Sequence, residues 1–164
     1  MQPFRFLGLL SVAPSLHSLA SALPVATVVD FGLGFWIENI AVRATGEILA
    51  VGPFSPTLYQ MNPLLPTPTK VAVYTSPVGG IVGIAETTPD QFYIVTGHFS
   101  GFLVPAPGSY AVWEVNMAGF DVTGKPAGVT KIAEFPTAKE LDGMTTINVG
   151  TGLVEISDPA LGVV

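Results

Sequence analysis

Two acidic residues hold matching places in this chain. Glu38 stands two residues ahead of Ile40 in "ENIAVRATGE", and Asp142 stands two residues ahead of Met144 in "DGMTTIN". Paired carboxylates can supply hard oxygen ligands to Ca²⁺ or Mg²⁺, or accept hydrogen bonds from a substrate O–H. Calcium usually takes about six to eight oxygens. Two carboxylates fall short of that, so no metal and no other cofactor is expected. Glu38 and Asp142 then become candidates for lining a shared cavity. The plainer alternative is that both are solvated at a channel mouth or accept backbone N–H groups.

Other residues extend this candidate set. Glu86 lies two residues after Ile84, and simple strand alternation places it on the same face as Ile84 and Val82. It either points into the cavity or is buried and hydrogen-bonded. His98 is the only histidine after residue 22. A Ser-His-Asp triad would have to use it, but "GHFSG" is not a G-x-S-x-G elbow, so nucleophilic hydrolysis is disfavoured. One histidine and no cysteine also exclude an ordinary zinc site. Trp36 and Phe99 lie near the ends of expected inner strands and are candidates for lining an apolar pocket. Phe54, Tyr59 and Trp113 read as core. A pocket with few ionisable groups suits a pericyclic reaction, which needs two partners held in orientation rather than a strong nucleophile.

These residues sit on a repeat. "IAVRATGEILAVG" from Ile40, "IAETTPDQFYIVTG" from Ile84 and "MTTINVGTGLVEIS" from Met144 each place a turn residue six positions on, at Gly46, Asp90 and Gly150. The starts are 44 and 60 residues apart, and the longer gap holds "GFLVPAPGS". Each of the first two units carries two further apolar runs: "TLYQMNP" and "KVAVYTS", then "YAVWEVNM" and "VTKIAEFPT". "LGVV" is the later run of the third. Four short strands per repeat at this period predict β-propeller blades, with a two-sheet sandwich as the alternative. The expected fold is all-β, a partial β-propeller of about two and a half four-stranded blades. "IAVRA", "GIAET" and "MTTIN" should be the innermost strands, and helix should be confined to the N-terminus.

Composition agrees. The chain has 164 residues, 15 Pro, 18 Gly, 11% charged and 49% apolar residues, which favours short punctuated strands. A net charge of −6 with six scattered basic residues (Arg43 among them) excludes a nucleic-acid partner. Residues 1–22 read as a signal peptide: Arg5, the apolar "FLGLLSVA", then small residues at Ala20 and Ala22. The propeller domain would be 23–164, in the secretory pathway or outside the cell, with no membrane anchor after cleavage. There is no cysteine and therefore no disulfide, so stability must come from packing. An open propeller leaves apolar blade surfaces, so self-association is expected.

"ENIAVRATGEIL", "GIAETTPDQFYIVTGHFSG", "SYAVWEVNM", "VTKIAEFPTAKELDGMTTIN" and "DPALGVV" together resemble secreted fungal six-bladed propellers, distant relatives of the gluconolactonase/regucalcin-like group. The resemblance covers roughly residues 30–164 and matches the N-terminal half of such proteins. It implies a place in secondary-metabolite biosynthesis for some members. A subset resembles hetero-Diels–Alderases that join a quinone methide to a sesquiterpene. Gluconolactonase-like members bind a divalent metal through a Glu in a Glu-Gly-Pro-x-Trp motif, where this chain has Glu38-Asn39-Ile40-Ala41-Val42. Their Asn-Gly pair reads Asp142-Gly143 here. Three function classes follow: a cycloaddition catalyst acting on a small apolar molecule, a metal-dependent lactone hydrolase, and a non-catalytic binding protein.

Overall fold

The computed structural model describes residues 26–65, 67–73, 79–99, 104–148 and 150–164. The signal-peptide reading of 1–22 lies outside them. The first sheet, A, runs β1 (Asn39–Val42), β2 (Ile48–Gly52), β3 (Ser55–Met61) and β4 (Thr69–Val73). The second, B, runs β5 (Gly80–Thr88), β6 (Gln91–Gly97), β7 (Tyr110–Asn116) and β8 (Gly128–Phe135). Each is an antiparallel meander in chain order. β9 (Met144–Asn148) and β10 (Leu153–Ile156) form an antiparallel hairpin. This is the partial β-propeller expected: all-β, with two four-stranded blades and the first two strands of a third. "LGVV" makes a turn closed by an Asp158–Val163 bridge rather than a strand.

The first strands of the three units are neighbours, β1 against β5 and β5 against β9. "IAVRA", "GIAET" and "MTTIN" thus stand side by side, as innermost strands should. Sheet B is covered on both faces. Ile84, Phe92, Ile94 and Val115 pack with Leu49, Val51, Leu58 and Val71 of sheet A. On the other face Val82, Val95, Tyr110 and Val112 pack with Ala138 and Leu141, and Met144 and Ile156 of the hairpin lie against them. A strand buried on both faces reads as a continuous apolar run rather than an alternating one. That is why "GIVGIA" lacks polar residues and is buried from Gly80 to Ala85.

Two expectations need correction. A register shift between Ile81 and Gly83 breaks the alternation of β5, since a bulge adds one residue against its partner strand. Val82 therefore joins the hairpin side while Ile84 joins sheet A, and Glu86, opposite Phe92, does not share a face with Val82. Helix is also not confined to the N-terminus. A single turn, α1 (Phe120–Thr123), lies between β7 and β8, bracketed by Gly119 and Gly124 at φ 71° and 67°. Those left-handed positions suit glycine and start and stop the turn within four residues.

That turn has a tertiary purpose. Arg43, at the end of β1, is 2% exposed. Its Nε and Nη2 donate to the two carboxylate oxygens of Asp90 at 3.0 and 3.2 Å. Nη1 donates to Asp121 in α1 at 2.8 Å and to Gln60 Oε1 at 2.9 Å. Nη2 also reaches the Met117 carbonyl at 3.4 Å. All five donors of the guanidinium are thereby used. Burial works against the charge of Arg43, but the bonds to Asp90 and Asp121 outweigh it and hold its pKa above the ordinary value. Asp90 occupies the tight β5–β6 turn at φ 61°, a conformation usually left to glycine. Here the side chain is needed for the arginine.

Replacing Arg43 by Met should cost about 2–4 kcal/mol. This is less than for a fully buried pair, because Asp90 and Asp121 are partly exposed. The hydrogen bond from Arg43 also holds the Asp121 carboxyl below its ordinary value of 3.8. Its depressed pKa adds stability that is present above about pH 4 and lost as pH falls through the folded-state value. Chemical denaturation at pH 6 and pH 3 should show a smaller acid loss in Arg43→Met than in the parent. An unchanged pH dependence would refute the coupling.

Candidate functional site

Arg43 binds at one end of the sheets, where the β1–β2 and β5–β6 turns lie. The candidate residues from sequence gather mainly at the other end. The approach to β1, the β2–β3 turn, the β6–β7 connection and the approach to β9 all meet there, because antiparallel strands return every second turn to the same end.

Trp36 lies on the segment that leads into β1. Its carbonyl presses against Gly52 at the end of β2, where any Cβ would collide with it. Glycine at 52 therefore lets this N-terminal arm lie flat on the strand. Phe31 and Phe35 of the arm stack at 4.3 Å between centroids, and both meet Tyr59 edge-on at 5.3 and 5.5 Å. Trp36 meets Phe54 of the β2–β3 turn edge-on at 6.3 Å, and Phe54 meets Phe99 edge-on at 6.1 Å. A row of three rings, Trp36–Phe54–Phe99, thus crosses from sheet A to sheet B. Beside it a cavity of about 440 Å³ is lined by Gly34, Phe35, Trp36, Ile37 and Phe54. None of these carries an ionisable side chain. Trp36, Ile37 and Phe54 are each about 41–42% exposed, so the rings form an open wall rather than closed core.

The sequence-derived residues fall as follows. Trp36 and Phe99 are brought together through Phe54, which sequence reading had assigned to the core. Phe99 follows β6 rather than an innermost strand, and it is pinned by a bridge to Pro105. His98 precedes it, exposed, with its backbone N–H donated to Ser109 Oγ at 3.0 Å and its carbonyl accepting from Ala106. Its imidazole lies over Gly79, close enough that a Cβ there would sit 2.9 Å from Nδ1. Ser100 lies outside the described residues.

Glu38 immediately precedes β1 at this same end. It is exposed, and its N–H donates to the Val51 carbonyl at 2.9 Å. Asp142 leads into β9 on the far side of β5, and its carbonyl lies against Gly83. β5 stands between the two strands that these acids introduce. Among the described residues no three His, Cys, Asp or Glu side chains are grouped to hold a metal ion. Glu86 lies elsewhere. Its Oε1 accepts the Asp90 N–H at 2.9 Å, so it braces the β5–β6 turn beside Arg43.

Sequence reading passed over Tyr110, which begins β7 at the same end of sheet B as Phe99. Its ring is 1% exposed and shares a cluster with Leu141 and Ala138, against which Phe99 also packs. Its hydroxyl is buried and has no hydrogen-bond partner. Burial first, and then the charges of Glu140, Asp158 and Asp142, push the phenol up to about 12. Asp158 is itself buried and accepts the Lys139 and Glu140 N–H groups, which fixes the segment leading to Asp142. No periodic signal marks Tyr110 in the sequence; it reads as an ordinary strand aromatic.

No family model matches the chain. It is similar to the "Putative hetero-Diels-Alderase asR5" of Sarocladium schorii, at 33% identity over 146 residues. The alignment covers 85% of this chain and 35% of that protein. The chain therefore spans about a third of the length of the curated relative it matches. This supports a Diels–Alderase-like relationship.

Tyr110 supplies a prediction with a definite sign. A phenol near 10 in the unfolded chain and about 12 in the folded one contributes stability in full below about pH 10. That contribution is lost as pH rises toward 12, because the unfolded state ionises first. Tyr110→Phe should flatten the alkaline fall in a denaturation series. It should also add about 1 kcal/mol near neutrality by removing a buried donor that has no acceptor. Destabilisation at pH 7 would mean that the hydroxyl has a partner after all.

Proposed function

We propose that this chain is part of a propeller that binds a small apolar intermediate of secondary metabolism and orients it for a hetero-Diels–Alder cycloaddition. The observation that carries this reading is the similarity to a protein named as a hetero-Diels–Alderase across most of this chain. The open aromatic wall supports it, because the reaction asks for little else from a protein.

In such a step a heterodiene, O=C–C=C, meets an alkene. One C–C and one C–O bond form while three π bonds become one. No proton or electron is gained or lost, and no leaving group departs. The chemistry therefore needs no nucleophile, redox partner or acid–base relay. Most of the barrier that a protein can remove is the entropy of bringing two partners together face to face. Flat rings at Trp36, Phe54 and Phe99 offer stacking surface for a planar conjugated molecule, and the adjoining cavity offers room for the apolar partner. A hydrogen bond to the heterodiene oxygen would lower the barrier further by stabilising charge that builds there. His98, beside Phe99 in the chain, and the acids Glu38 and Asp142 ahead of two innermost strands are the polar groups this reading calls on. His98 is the donor, and protonated enol or phenol groups of the ligand would donate to the acids.

The test pairs a quinone methide, generated in solution, with a cyclic sesquiterpene alkene, and reads adducts by chiral chromatography. The protein should enrich one stereoisomer over the uncatalysed mixture. Trp36→Ala and Phe54→Ala should each lower that excess rate about 10-fold or more, since losing about 1.4 kcal/mol of aromatic contact is worth a factor of ten. Quenching of tryptophan fluorescence by the heterodiene should weaken in Trp36→Phe. Unchanged product ratios together with no quenching would sink the proposal.

A further inference from the structure

Two adjacent glycines, Gly79 and Gly80, stand at the start of β5. Neither has a positive φ, so neither needs glycine for its backbone conformation. Space is what forbids a side chain. A Cβ on Gly80 would overlap the Pro53 carbonyl, oxygen and carbon alike. Pro53 is buried in the β2–β3 turn, and Phe54 follows it. A Cβ on Gly79 would sit 2.9 Å from His98 Nδ1 and 3.4 Å from the backbone nitrogen of Phe99. One Gly-Gly step thus meets the chain beside Phe54 with one residue and the chain at Phe99 with the other.

The two supports are tied to each other. Gly80 is the cross-strand partner of Gly97, and the Gly79 N–H donates to the Gly97 carbonyl at 2.9 Å. His98 and Phe99 follow Gly97 directly. The start of β5 therefore fixes where β6 delivers Phe99 and how closely the turn of sheet A approaches it. Phe54 and Phe99 meet at 6.1 Å between centroids and 67° between planes. Edge-to-face pairs attract over about 4.5–7 Å, so little slack remains on the long side. With a methyl group on Gly80, the Pro53 carbonyl would have to withdraw by more than about 1 Å to reach an ordinary C···O contact of about 3.3 Å. Phe54 would move with it and leave Phe99.

We propose that Gly79 and Gly80 are positioning residues of the aromatic wall, setting the spacing of Phe54 and Phe99 and through it the orientation of a bound heterodiene; the second half of this rests on the cycloaddition reading. They act through the two rings rather than on the ligand. A planar molecule lying against both rings is held in one orientation only while the rings keep their mutual angle. In an oriented complex a misplacement of about 1 Å can cost about 100-fold in rate. Apolar area for binding persists when one ring shifts, so the loss should fall on kcat more than on KM.

The test compares Gly80→Ala with Val115→Ala, a truncation in the core between the same two sheets but next to Asn116, at the Arg43 end. Nuclear Overhauser contacts between the Phe54 and Phe99 rings report their spacing without any ligand. Steady-state rates with the quinone methide and the sesquiterpene alkene report kcat and KM. Gly80→Ala should lose the ring contacts and lower kcat about 10- to 100-fold, with KM changed much less. Val115→Ala should keep the ring contacts and kcat although it is destabilised. Ring contacts that persist in Gly80→Ala overturn the inference. So does a loss confined to KM, or an equal loss of kcat in Val115→Ala. A parent that neither turns over nor is quenched defeats the cycloaddition reading instead, and the ring contacts then decide the positioning role alone. If Gly80→Ala loses its β-sheet circular dichroism, Gly79→Ala takes its place, because its nearest obstacle is a side-chain atom, His98 Nδ1. It should shift the Phe99 ring away from Phe54, and a His98→Ala background should restore the contact by removing that obstacle. A Gly79→Ala protein with undisturbed rings, or one that His98→Ala does not rescue, overturns the inference.

Discussion

A single buried arginine holds the relative placement of the first two sheets. Arg43 reaches out of β1 to a turn of sheet B, to the helical turn after β7, and to β3 of its own sheet. Each contact uses a different donor of one rigid planar group, so a shift of sheet B along sheet A would break several bonds together. Among the described residues the core at that interface contains eleven buried apolar side chains, each contributing about 1.5–3 kcal/mol. Burial therefore dominates the attraction by a wide margin. Apolar contact is not directional, however, and the arginine is what selects one register among many that would bury similar area.

Several local oddities follow from that constraint. Asp90 holds a left-handed conformation that a glycine would adopt more easily, but a glycine there would leave Nε without an acceptor and Nη2 with the Met117 carbonyl alone. The helical turn at 120–123 exists between two glycines and brings Asp121 to Nη1. Gln60 donates to Asp121 at 3.2 Å while accepting from Arg43, which closes the ring of hydrogen bonds. Glu86 is drawn into the same end as a brace for the Asp90 turn. With the polar bonding concentrated at one end of the interface, the opposite end is joined by rings.

At that opposite end Phe54 and Phe99 cross from one sheet to the other, and Trp36 extends the row onto the arm. The arm can lie there because Gly52 has no side chain. The outcome is an apolar wall at an open end of the sheets, with His98 next to Phe99 and Glu38 next to Ile37 in the chain. A wall of this kind suits recognition by stacking and shape, which is what a pericyclic step requires.

The sequence by itself determined the four-strand repeat and the identity of the three innermost strands, because each rests on local chemistry: turn residues at a fixed offset and short apolar runs of strand length. It also singled out Trp36 and Phe99, since aromatics beside strand ends stand out in a chain so punctuated. Tertiary structure decided the rest. A one-residue bulge at Ile81–Gly83, invisible in an apolar run, reassigned Val82 and Glu86. Arg43 looked like one of six scattered cations, because its partners lie 17, 47 and 78 residues away. Phe54 read as core, yet its exposure depends on what stands opposite a turn, which no local pattern records. Tyr110 became notable only once burial left its hydroxyl without an acceptor. Local periodicity fixes which residues form a strand, but pairing across dozens of residues fixes which face each side chain meets.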